Sequence, residues 1–427
     1  MRRCVYVAAA AHTLSFDKQR STGRRALYNG AINSQKVMDA MELLTPQHQQ
    51  ELVEFAQSLI RIKSYSGEEG PIVESIAQRM MALGYDEVTI DAMGNVVGRI
   101  GAGGSAILFD SHVDTVAVND AEQWQIPPLS GTIVDGRLHG RGSVDMKSAA
   151  AASIYAGALA KQRGLAEGKT IYVSCTVFEE DCDGENLKHL FRELEIKPDS
   201  VVICEPSNNR IALGHKGKAQ IAITTQGVSA HGAAPDQGVN AIYEMAEIIQ
   251  RVEQTNQALS RTTGPRGTLV LSRIASTSAS LNAVPSACEI YLDRRMVPGE
   301  SAAAIRAEME RLIAGKRATW AIGTLHRTSW TGLPIVYDPF HLAWQIDLNH
   351  DLTQACIAAY RDHFGDEPRD FAFWDFSTNA VTPVSQGIPT IGFGPGDSRL
   401  AHMRDESCPV QQIVDACAFY MHLMQRA

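Results

Sequence analysis

The sequence predicts an α/β fold in which a mostly parallel sheet is flanked by helices and interrupted by an inserted α+β unit. Continuous apolar runs such as AILF, TIYVSCTVF and SVVICEP are typical of parallel strands buried on both faces. A helix predicted over residues 147–163 separates two of these runs. Between about residues 215 and 327 the order becomes β-α-β-β-α-β, which is typical of a compact ferredoxin-like unit.

The elements before the insertion have clear end signals. Thr45 is the predicted N-cap of a helix that starts at Pro46 and continues through QHQQELVEFAQSLIRI with apolar residues at helical spacing. A second helix, PIVESIAQRMMALG, is predicted to end at Gly84. Strand-like runs follow at EVTIDA, NVVGRI and AILFDSHVDTV. These segments predict the first half of a sheet together with helices that pack against it.

The inserted unit and the segment after it complete the predicted order. Strands are predicted at KAQIAITTQG, GTLVLSRIA, CEIYLDRRM and TWAIGTLHR, and helices at AIYEMAEIIQRV and SAAAIRAEMERLI. The chain then returns with a helix near 351–364 and the strand PTIGFG. We therefore divide the chain into a basic extension (1–37), the first part of the main domain (38–214), an inserted domain (215–328) and the second part of the main domain (329–427).

The composition is that of a globular protein with more than one domain. The 427 residues are 44% hydrophobic and 20% charged, and the net charge of −9 argues against a nucleic-acid partner. No apolar run approaches the roughly 20 residues that span a bilayer. The eight cysteines form no CxxC pair, which predicts free thiols in a reducing cytoplasm. The basic segment 1–37 is expected to be disordered or to precede the natural start at Met38 or Met41, rather than to be a secretory signal.

Carboxylate and imidazole side chains recur in short distinctive settings along the chain. They are His112 in LFDSHVDTV, Asp145 in GRGSVDMK, Glu180 in VFEEDCDG, Glu205 in ICEPS and His402 in GFGPGDSRLAH. Several follow buried strands, and open α/β sheets gather ligands at the carboxyl ends of their strands. Two imidazoles and three carboxylates, one of them bridging, suit two divalent cations. A further acid, Glu179, lies beside a ligand and is free to move protons, so the sequence predicts a two-metal enzyme.

Several of these residues also have a purely structural interpretation. His112 and Asp114 lie on one face of a strand end, so Asp114 can fix the imidazole, but the pair could also be a buried histidine with an acidic partner. Asp145 could be a helix N-cap. The adjacent acids Glu179 and Glu180 could belong to a solvated acidic loop, although two metal ions would remove their mutual repulsion.

In these motifs the chain, from about Leu52 to its end, resembles the family of zinc aminoacylase, acetylornithine deacetylase and succinyl-diaminopimelate desuccinylase. All the motifs occur in the order found in that family. The segments EEDCDG, QGVSAHGAAP, SWTG, FSTN and IPTIGFGPG place the chain near the hydrolases linked to selenium metabolism, a branch without a defined substrate. The resemblance implies metal-dependent hydrolysis of the amide bond in N-acyl amino acids or small peptides, with zinc as the expected metal and cobalt or manganese as alternatives.

The resemblance also implies a role for each polar residue. Five residues would hold the metals, namely Asp145 as the bridge, His112 and Glu205 at one site, and Glu180 and His402 at the other. Glu179 would carry the proton from the bridging water to the leaving amine, while Asp114 would orient the imidazole. The bond between Asp145 and Met146 is expected to be cis.

The inserted unit would be a lid and dimerisation domain. His231, in GVSAHGAAP, would reach across a homodimer into the neighbouring active site and stabilise the oxyanion, whereas its structural alternative is a loop histidine that shapes the turn. Asn282 in SLNAVP and Arg295 in DRRM would hold the substrate carboxylate. Arg294 is the alternative to Arg295, because strand alternation sends only one of the two inward.

Other positions around the expected cleft bear on specificity. Gly394 and Gly396 would form a backbone cradle beside the substrate. The segment FSTN at 376–379 stands where many members of the family have a Gly-Thr-Asp type of segment, which leaves the substrate open. Trp330 and Trp374 would favour a flat or apolar group if they lay in the cleft, but core positions are the favoured interpretation.

The site alone leaves several activities open. An N-acyl amino acid deacylase, an N-carbamoyl amino acid amidohydrolase and a dipeptidase or carboxypeptidase would share it. A catalytically silent binding protein on the same fold is the alternative from another class, and it would be expected to have lost Glu179 or a ligand, none of which is missing. Cys182 could be a soft ligand, although the carboxylates complete the set without it.

Overall fold

The structure, a computed structural model, describes residues 4–7 and 43–426. The strands, numbered in chain order, are β1 Cys4–Val7, β2 Glu87–Ile90, β3 Val96–Gly101, β4 Ser105–His112, β5 Thr132–Val134, β6 Arg137–His139, β7 Lys169–Thr176, β8 Ser200–Ile203, β9 Ala212–His215, β10 Gly217–Gln226, β11 Thr268–Thr277, β12 Ala287–Met296, β13 Ala318–Ile322, β14 Leu325–Thr328, β15 Pro334–Tyr337, β16 Phe340–His341, β17 Trp344–Gln345, β18 Ala372–Trp374, β19 Thr390–Gly392 and β20 Ser407–Pro409. The helices are α1 Pro46–Arg61, α2 Gly70–Ala82, α3 Lys147–Gln162, α4 Glu179–Cys182, α5 Glu185–Leu194, α6 Ala241–Ser260, α7 Ala302–Ile313, α8 Asp351–Phe364, α9 Val381–Ser385 and α10 Val410–Arg426.

The larger sheet has ten strands and positions the predicted site. Its order is β1-β2-β3-β7-β4-β8-β19-β9-β17, with β18 paired to β9. The central strands β7, β4, β8 and β19 run parallel to one another, whereas β1, β2 and β3 pair antiparallel at one side and β17 does so at the other. The α/β class predicted from the sequence is confirmed, and the parallel arrangement is found at the centre of a mixed sheet.

Helix α3 shows why the main domain buries so much of its chain. Every residue from Lys147 to Ala160 is buried, because the helix lies between the sheet and helices α1 and α10. Its sequence, KSAAAASIYAGALAKQ, is rich in alanine and lets these elements approach closely. Helix α1 begins as predicted, since the Thr45 hydroxyl accepts a hydrogen bond of 3.2 Å from the backbone N–H of His48.

The inserted unit forms a second sheet with the predicted β-α-β-β-α-β order. Strands β10 to β13 pair antiparallel in the order β11-β12-β10-β13, which is the ferredoxin-like arrangement. Helices α6 and α7 cover one face through a core that includes Ile221, Met245, Ile290 and Met309. On strands β10 and β12, Lys218 and Arg295 line a cleft together with residues of the main domain.

One predicted strand is wrong. The run TWAIGTLHR forms two strands, of which β13 joins the inserted sheet and β14 pairs with β15 in a separate hairpin. The break falls at Gly323, where a Cβ atom would lie 2.4 Å from the Tyr291 ring. The close approach of the Tyr291 ring therefore requires glycine at position 323, and the chain leaves the inserted sheet at this residue.

Other sequence predictions fall partly outside the described residues. Of the basic segment 1–37, only β1 is described, where it pairs with β2, so the predicted extension otherwise lies outside. The seven cysteines within 43–426 are all free and buried, as predicted. In the same range no helix is long and apolar enough to cross a bilayer. The domain boundaries stay a prediction, and β16, which pairs with β10, lies beyond residue 328.

Candidate active site

The predicted ligands converge at one edge of the main sheet. His112 is the last residue of β4, Glu179 and Glu180 follow β7, and Glu205 follows β8. These three strands are parallel neighbours, so their carboxyl ends meet at the same edge. Asp145 reaches this edge from the turn before α3. His402 comes from the loop before β20 and completes the set of five.

Asp145 lies between the two imidazoles. Its Oδ1 is 2.9 Å from Nε2 of His112, and its Oδ2 is 3.2 Å from Nε2 of His402. The same His402 nitrogen lies 3.1 and 3.0 Å from the two carboxylate oxygens of Glu180. On the other side, Nε2 of His112 is 3.6 Å from Glu205 and 4.0 Å from Glu179. One carboxylate thus contacts both halves of the cluster.

The cluster contains two overlapping groups of possible metal ligands. One group is His112, Glu179 and Glu205, and the other is His112, Asp145 and Glu180, with the ligand atoms of each group within 4.8 Å of one another. His112 is 1% exposed, whereas the side chain of His402 is 51% exposed. The cluster therefore has a buried inner half and a solvent-facing outer half.

The cluster carries more negative than positive groups, so bound cations would stabilise it. Burial raises the pKa of Glu179, Glu180 and Glu205, and the charge of Asp145 raises the last two further. Among the described residues, Oε2 of Glu205 is buried without a hydrogen-bond partner. Four carboxylates and only two imidazoles share this space. Divalent cations would satisfy both the excess negative charge and the orphaned oxygen, so the residues present fit such ions.

Asp114 connects the inner histidine to the acidic turn. Nδ1 of His112 lies 3.0 Å from the backbone oxygen of Asp114 and 3.5 Å from its Oδ1. The Asp114 carboxylate accepts hydrogen bonds from the backbone N–H groups of Glu179 at 3.0 Å and Glu180 at 3.1 Å, and from the hydroxyl of Ser66 at 2.7 Å. The predicted orienting residue therefore also holds the turn that bears the two glutamates.

Sequence analysis missed a buried pair beneath the Asp145 turn. Glu406 accepts hydrogen bonds from the backbone N–H groups of Val144 at 2.8 Å and Asp145 at 3.1 Å, and it pairs with Arg141 at 2.6 Å. Arg141 also donates to the carbonyl oxygen of His402 at 3.2 Å. The pair thus fixes the backbone of two ligands that are distant in sequence. The signals available were an arginine between two glycines in GRG and an acid four residues after His402.

A second missed carboxylate supports the acidic turn from the other side. Glu69 is buried and accepts a hydrogen bond of 3.2 Å from the backbone N–H of Phe178. Phe178 has a φ of 61°, which is uncommon for a residue with a side chain. Burial and the nearby Asp114 raise the pKa of Glu69 to about 8. Glu69 and Asp114 together accept from three consecutive amides of the turn.

The peptide bond between Asp145 and Met146 is cis, as the resemblance led us to expect. Met146 is 1% exposed, and the next residue, Lys147, is also buried. Lys147 donates to the backbone oxygens of Leu59 at 3.2 Å and Ile62 at 2.7 Å. Burial lowers the pKa of Lys147 to about 7.

The inserted unit contributes one wall of the cleft above this cluster. The cleft has a volume of about 240 Å³, and Lys218, Arg295 and Phe376 line it together with the carboxylates. Arg295 pairs with Asp293 at 2.7 Å. Arg294 is 1% exposed and pairs with Glu300 and Glu308 inside the inserted unit. Strand alternation therefore turns Arg295, and not Arg294, toward the cleft.

His231 and Asn282 do not reach this cleft within one chain. They are neighbours of each other, since the backbone oxygen of Asn282 accepts from the N–H of Gly232 at 2.6 Å and His231 forms an isolated bridge with Ala283. Both are exposed, and neither occurs among the described residues that line the cleft.

The two glycines of the predicted cradle have internal hydrogen bonds. The N–H of Gly394 donates to the hydroxyl of Ser207 at 3.0 Å, and that of Gly396 donates to the side-chain oxygen of Gln412 at 2.8 Å. A Cβ atom at Gly394 would lie 2.5 Å from the backbone oxygen of Glu205. Gly394 thus allows β19 and the ligand-bearing segment after β8 to approach closely, while contact with substrate stays a prediction.

The two tryptophans and Cys182 lie away from the cleft lining. Trp374 is 3% exposed and donates to the backbone oxygen of Pro206 at 2.9 Å. Trp330 packs against the hydrophobic core and donates to the backbone oxygen of Gly94 at 3.3 Å. Cys182 is buried and belongs to neither ligand group of the cluster. The core interpretation of both aromatic residues therefore agrees with their positions.

Comparisons with known proteins agree with this site. Residues 108–426 match the model of peptidase family M20/M25/M40. The chain is 35% identical over 377 residues to the uncharacterized protein YgeY of Escherichia coli K12, covering 87% of this chain and 93% of that protein. It is 27% identical to an acetylornithine deacetylase of Erwinia tasmaniensis, covering 73% of this chain and 78% of the relative.

Solved structures share the fold at low sequence identity. The M20 family metallo-carboxypeptidase Sso-CP2 of Sulfolobus solfataricus superposes with a TM-score of 0.69 at 16% identity, covering 90% of this chain and 99% of that one. The YXEP protein of Bacillus subtilis, described as a dinuclear metal-binding peptidase, gives a TM-score of 0.65 at 14% identity over 89% of this chain and 98% of that one. With the family match over most of its length, the chain belongs to peptidase family M20/M25/M40 and is a metal-dependent hydrolase of C–N bonds.

Proposed function

We propose that this protein hydrolyses the amide bond of N-acyl amino acids or small peptides with two bound divalent cations. His112, Asp145, Glu180, Glu205 and His402 would hold them, with Asp145 between the two. The observation that carries this proposal is the Asp145 carboxylate, whose two oxygens face two different imidazoles at 2.9 and 3.2 Å. Such an arrangement suits a bridging ligand.

Bound divalent cations supply Lewis acidity, which polarises a carbonyl group and makes a water molecule more acidic. Glu179 would receive the proton of that water and deliver it to the leaving nitrogen. Its carboxylate is buried, and its raised pKa, caused by burial and by Glu205 against the opposing effect of His112, suits a group that must hold a proton during turnover. Asp114 keeps Glu179 in place through the backbone hydrogen bond at 3.0 Å.

On the resemblance to the zinc aminoacylase family, zinc is the proposed metal, with cobalt or manganese as alternatives. Imidazole nitrogen and carboxylate oxygen are donors that all three ions accept, and no cysteine of the described residues belongs to the cluster. A titration of metal-free protein that reached saturation at one ion per chain would refute the two-metal proposal.

The substrate would carry a free carboxylate. Arg295 lines the cleft beside the carboxylate cluster, so an α-carboxylate could pair with it while the amide lies over Glu179. Asn282 lies beside His231 and does not reach the cleft of its own chain, so it would contribute from a partner chain, and Gly394 and Gly396 would lie beside the bound molecule. A larger cavity of about 820 Å³ continues along the inserted sheet past Lys218 and Tyr291. This space favours small peptides as a second class beside N-acyl amino acids.

The active unit would be a homodimer in the cytoplasm. His231 is exposed on the inserted unit and would complete the site of a second chain by stabilising the oxyanion. The inserted unit also exposes apolar side chains near its edge strand β11, including Val270, Ile274 and Leu281. Such residues are typical of a surface that a partner covers. The seven cysteines within residues 43–426 are free and buried, which favours a reducing compartment.

The test is amine release from a panel of N-acetyl, N-succinyl and N-carbamoyl amino acids and dipeptides, with metal-loaded protein. Glu179→Gln serves as the control, because it removes the proton carrier and keeps the size of the side chain. Turnover that disappears in the variant would support the proposal and identify the acyl class. Binding of a panel member without turnover in the unaltered protein would favour the silent binding protein instead.

A further inference from the structure

Two ion pairs join the chain at helix α4, which carries Glu179 and Glu180, to other parts of the fold. One partner is Arg327 on β14, and the other is Lys218 on β10 of the inserted unit. Asp181 pairs with Arg327 at 2.7 Å, and both side chains are about 40% exposed, at 41% and 37%. Two residues further on, Asp183 pairs with Lys218, and these side chains are only 3% and 10% exposed. Because solvent weakens the first pair and not the second, the Asp183 pair dominates this junction.

Asp183 lies beside a group of side chains that come from three strands. Its Oδ1 accepts hydrogen bonds from Nζ of Lys218 on β10 and from the hydroxyl of Tyr337 on β15. Nε2 of His341, on β16, lies 3.1 Å from the same hydroxyl, and the Tyr337 and His341 rings stack with centroids 5.6 Å apart. The first residue after α4 is therefore anchored on the inserted sheet and on the hairpin that follows it.

A buried ion pair of this kind rarely adds much stability. Removing both charges is often neutral or stabilising, because the cost of desolvation offsets the attraction. The better-supported role of such pairs is to fix one relative position of two elements. Two more features restrict the position of Lys218: its ammonium lies 5.4 Å from the Tyr337 ring centroid, and the neighbouring Gly217 packs against the backbone of His341.

Lys218 is the cross-strand neighbour of Arg295. The two are register partners in the antiparallel pair of β10 and β12. Neighbouring side chains in such a pair have Cβ atoms roughly 5 Å apart and share one face. Lys218, Arg295 and Glu179 line the same cleft. The position of Arg295 relative to Glu179 therefore depends on how Lys218 docks on Asp183.

We propose that Asp183 and Lys218 are positioning residues that set the distance between the carboxylate-binding Arg295 and the proton-carrying Glu179. This inference rests on the proposed function, because it assumes a substrate whose carboxylate pairs with Arg295. The distance selects substrates with a matching number of bonds between the carboxylate and the scissile amide. Asp183 and Lys218 thereby determine specificity without contacting the reacting atoms.

The experiment compares two substrates that differ only at the carboxylate. The best N-acyl amino acid of the panel and its C-terminal amide are assayed with the metal-loaded protein and with Asp183→Asn, Lys218→Met and Lys218→Arg. We expect the first two variants to lower kcat/KM for the acid by roughly tenfold or more, mainly through KM, since displacements of about 1 Å can cost up to about 10²-fold. The amide should lose less than about threefold, and Lys218→Arg should restore part of the preference because it keeps the charge.

Two controls separate positioning from loss of structure. Asp181→Asn removes the exposed pair on the same helix and is expected to leave the acid-to-amide ratio unchanged. The double variant Asp183→Asn/Lys218→Met removes both buried charges, so it should fold even if a single variant does not, and it should still lose the ratio.

The outcomes are distinguishable. An equal loss for acid and amide would overturn the inference, because a general loss of structure does not discriminate between them. If the double variant still prefers the acid substrate to its C-terminal amide, this inference would be overturned, while the proposed function would stand. If the unaltered protein hydrolyses the C-terminal amide substrate with the same kcat/KM as the acid substrate, both the proposed substrate class and this inference would be overturned.

Discussion

Replacing Glu406 by glutamine is expected to loosen the turn that carries Asp145. The Glu406 side chain is 0% exposed and its partner Arg141 is 6% exposed, so the change leaves an arginine buried without its counter-charge. Removing one partner of a buried ion pair costs roughly 3–5 kcal/mol. In the variant, Arg141 can still donate hydrogen bonds to the carbonyl oxygens of His402, at 3.2 Å, and Met403, at 3.3 Å. The glutamine oxygen can still accept a hydrogen bond from the backbone N–H of Val144. We therefore expect a loss of about 3 kcal/mol, the lower end of that range.

The assay is chemical unfolding of the metal-free protein, with the free energy of unfolding compared between variants. The matched control is the double variant Glu406→Gln/Arg141→Met, which removes both charges and is expected to recover about 1–2 kcal/mol of the loss. A second readout is metal affinity, because supports of this kind typically contribute 10–100-fold to binding of the ion. A single variant that loses less than about 1 kcal/mol, or a double variant no more stable than the single one, would refute the reasoning.

Three further predictions concern the proton carrier, the partner chain and a buried lysine. Glu179→Gln should lower turnover roughly 10²–10⁴-fold with the metal content unchanged, as measured by steady-state rates and elemental analysis; a parallel loss of metal would instead make Glu179 a ligand. Mixing inactive Glu179→Gln with inactive His231→Ala chains should restore part of the activity if His231 acts on the partner's site, and no recovery in mixed dimers would contradict this. Lys147 binds a proton less readily in the folded protein, where its pKa is about 7, than when unfolded. Stability of the metal-free protein should therefore rise with pH from about 7 to 10.5 relative to Lys147→Met, as followed by chemical unfolding, and equal pH profiles would contradict the prediction.

Elements with local signals could be predicted from the sequence. Helix α8 spans Asp351–Phe364 as predicted, and Gly365 ends it with a φ of 79°. The five ligands could be found because each stands beside a strand end or a glycine-rich turn, and parallel strands bring their carboxyl ends together. The end of β13 could not be placed, because it depends on the ring of Tyr291, which lies 32 residues before Gly323 in the chain and contacts it only across the folded sheet.

The residues that sequence reasoning missed share a physical property. Glu69, Glu406 and Asp183 are buried carboxylates whose partners lie far away in the chain, with a separation of 262 residues between Val144 and Glu406. In the sequence an acid without a nearby partner is typical of a solvated loop, which is the structural alternative for the acidic segment that follows β7. Burial makes each of them costly unless it is paired, so each must hold something in place. Glu69 and Glu406 support the ligand turns and Asp183 joins the acidic turn to the inserted unit, which is why their effects should appear in metal affinity and substrate preference rather than in the chemistry itself.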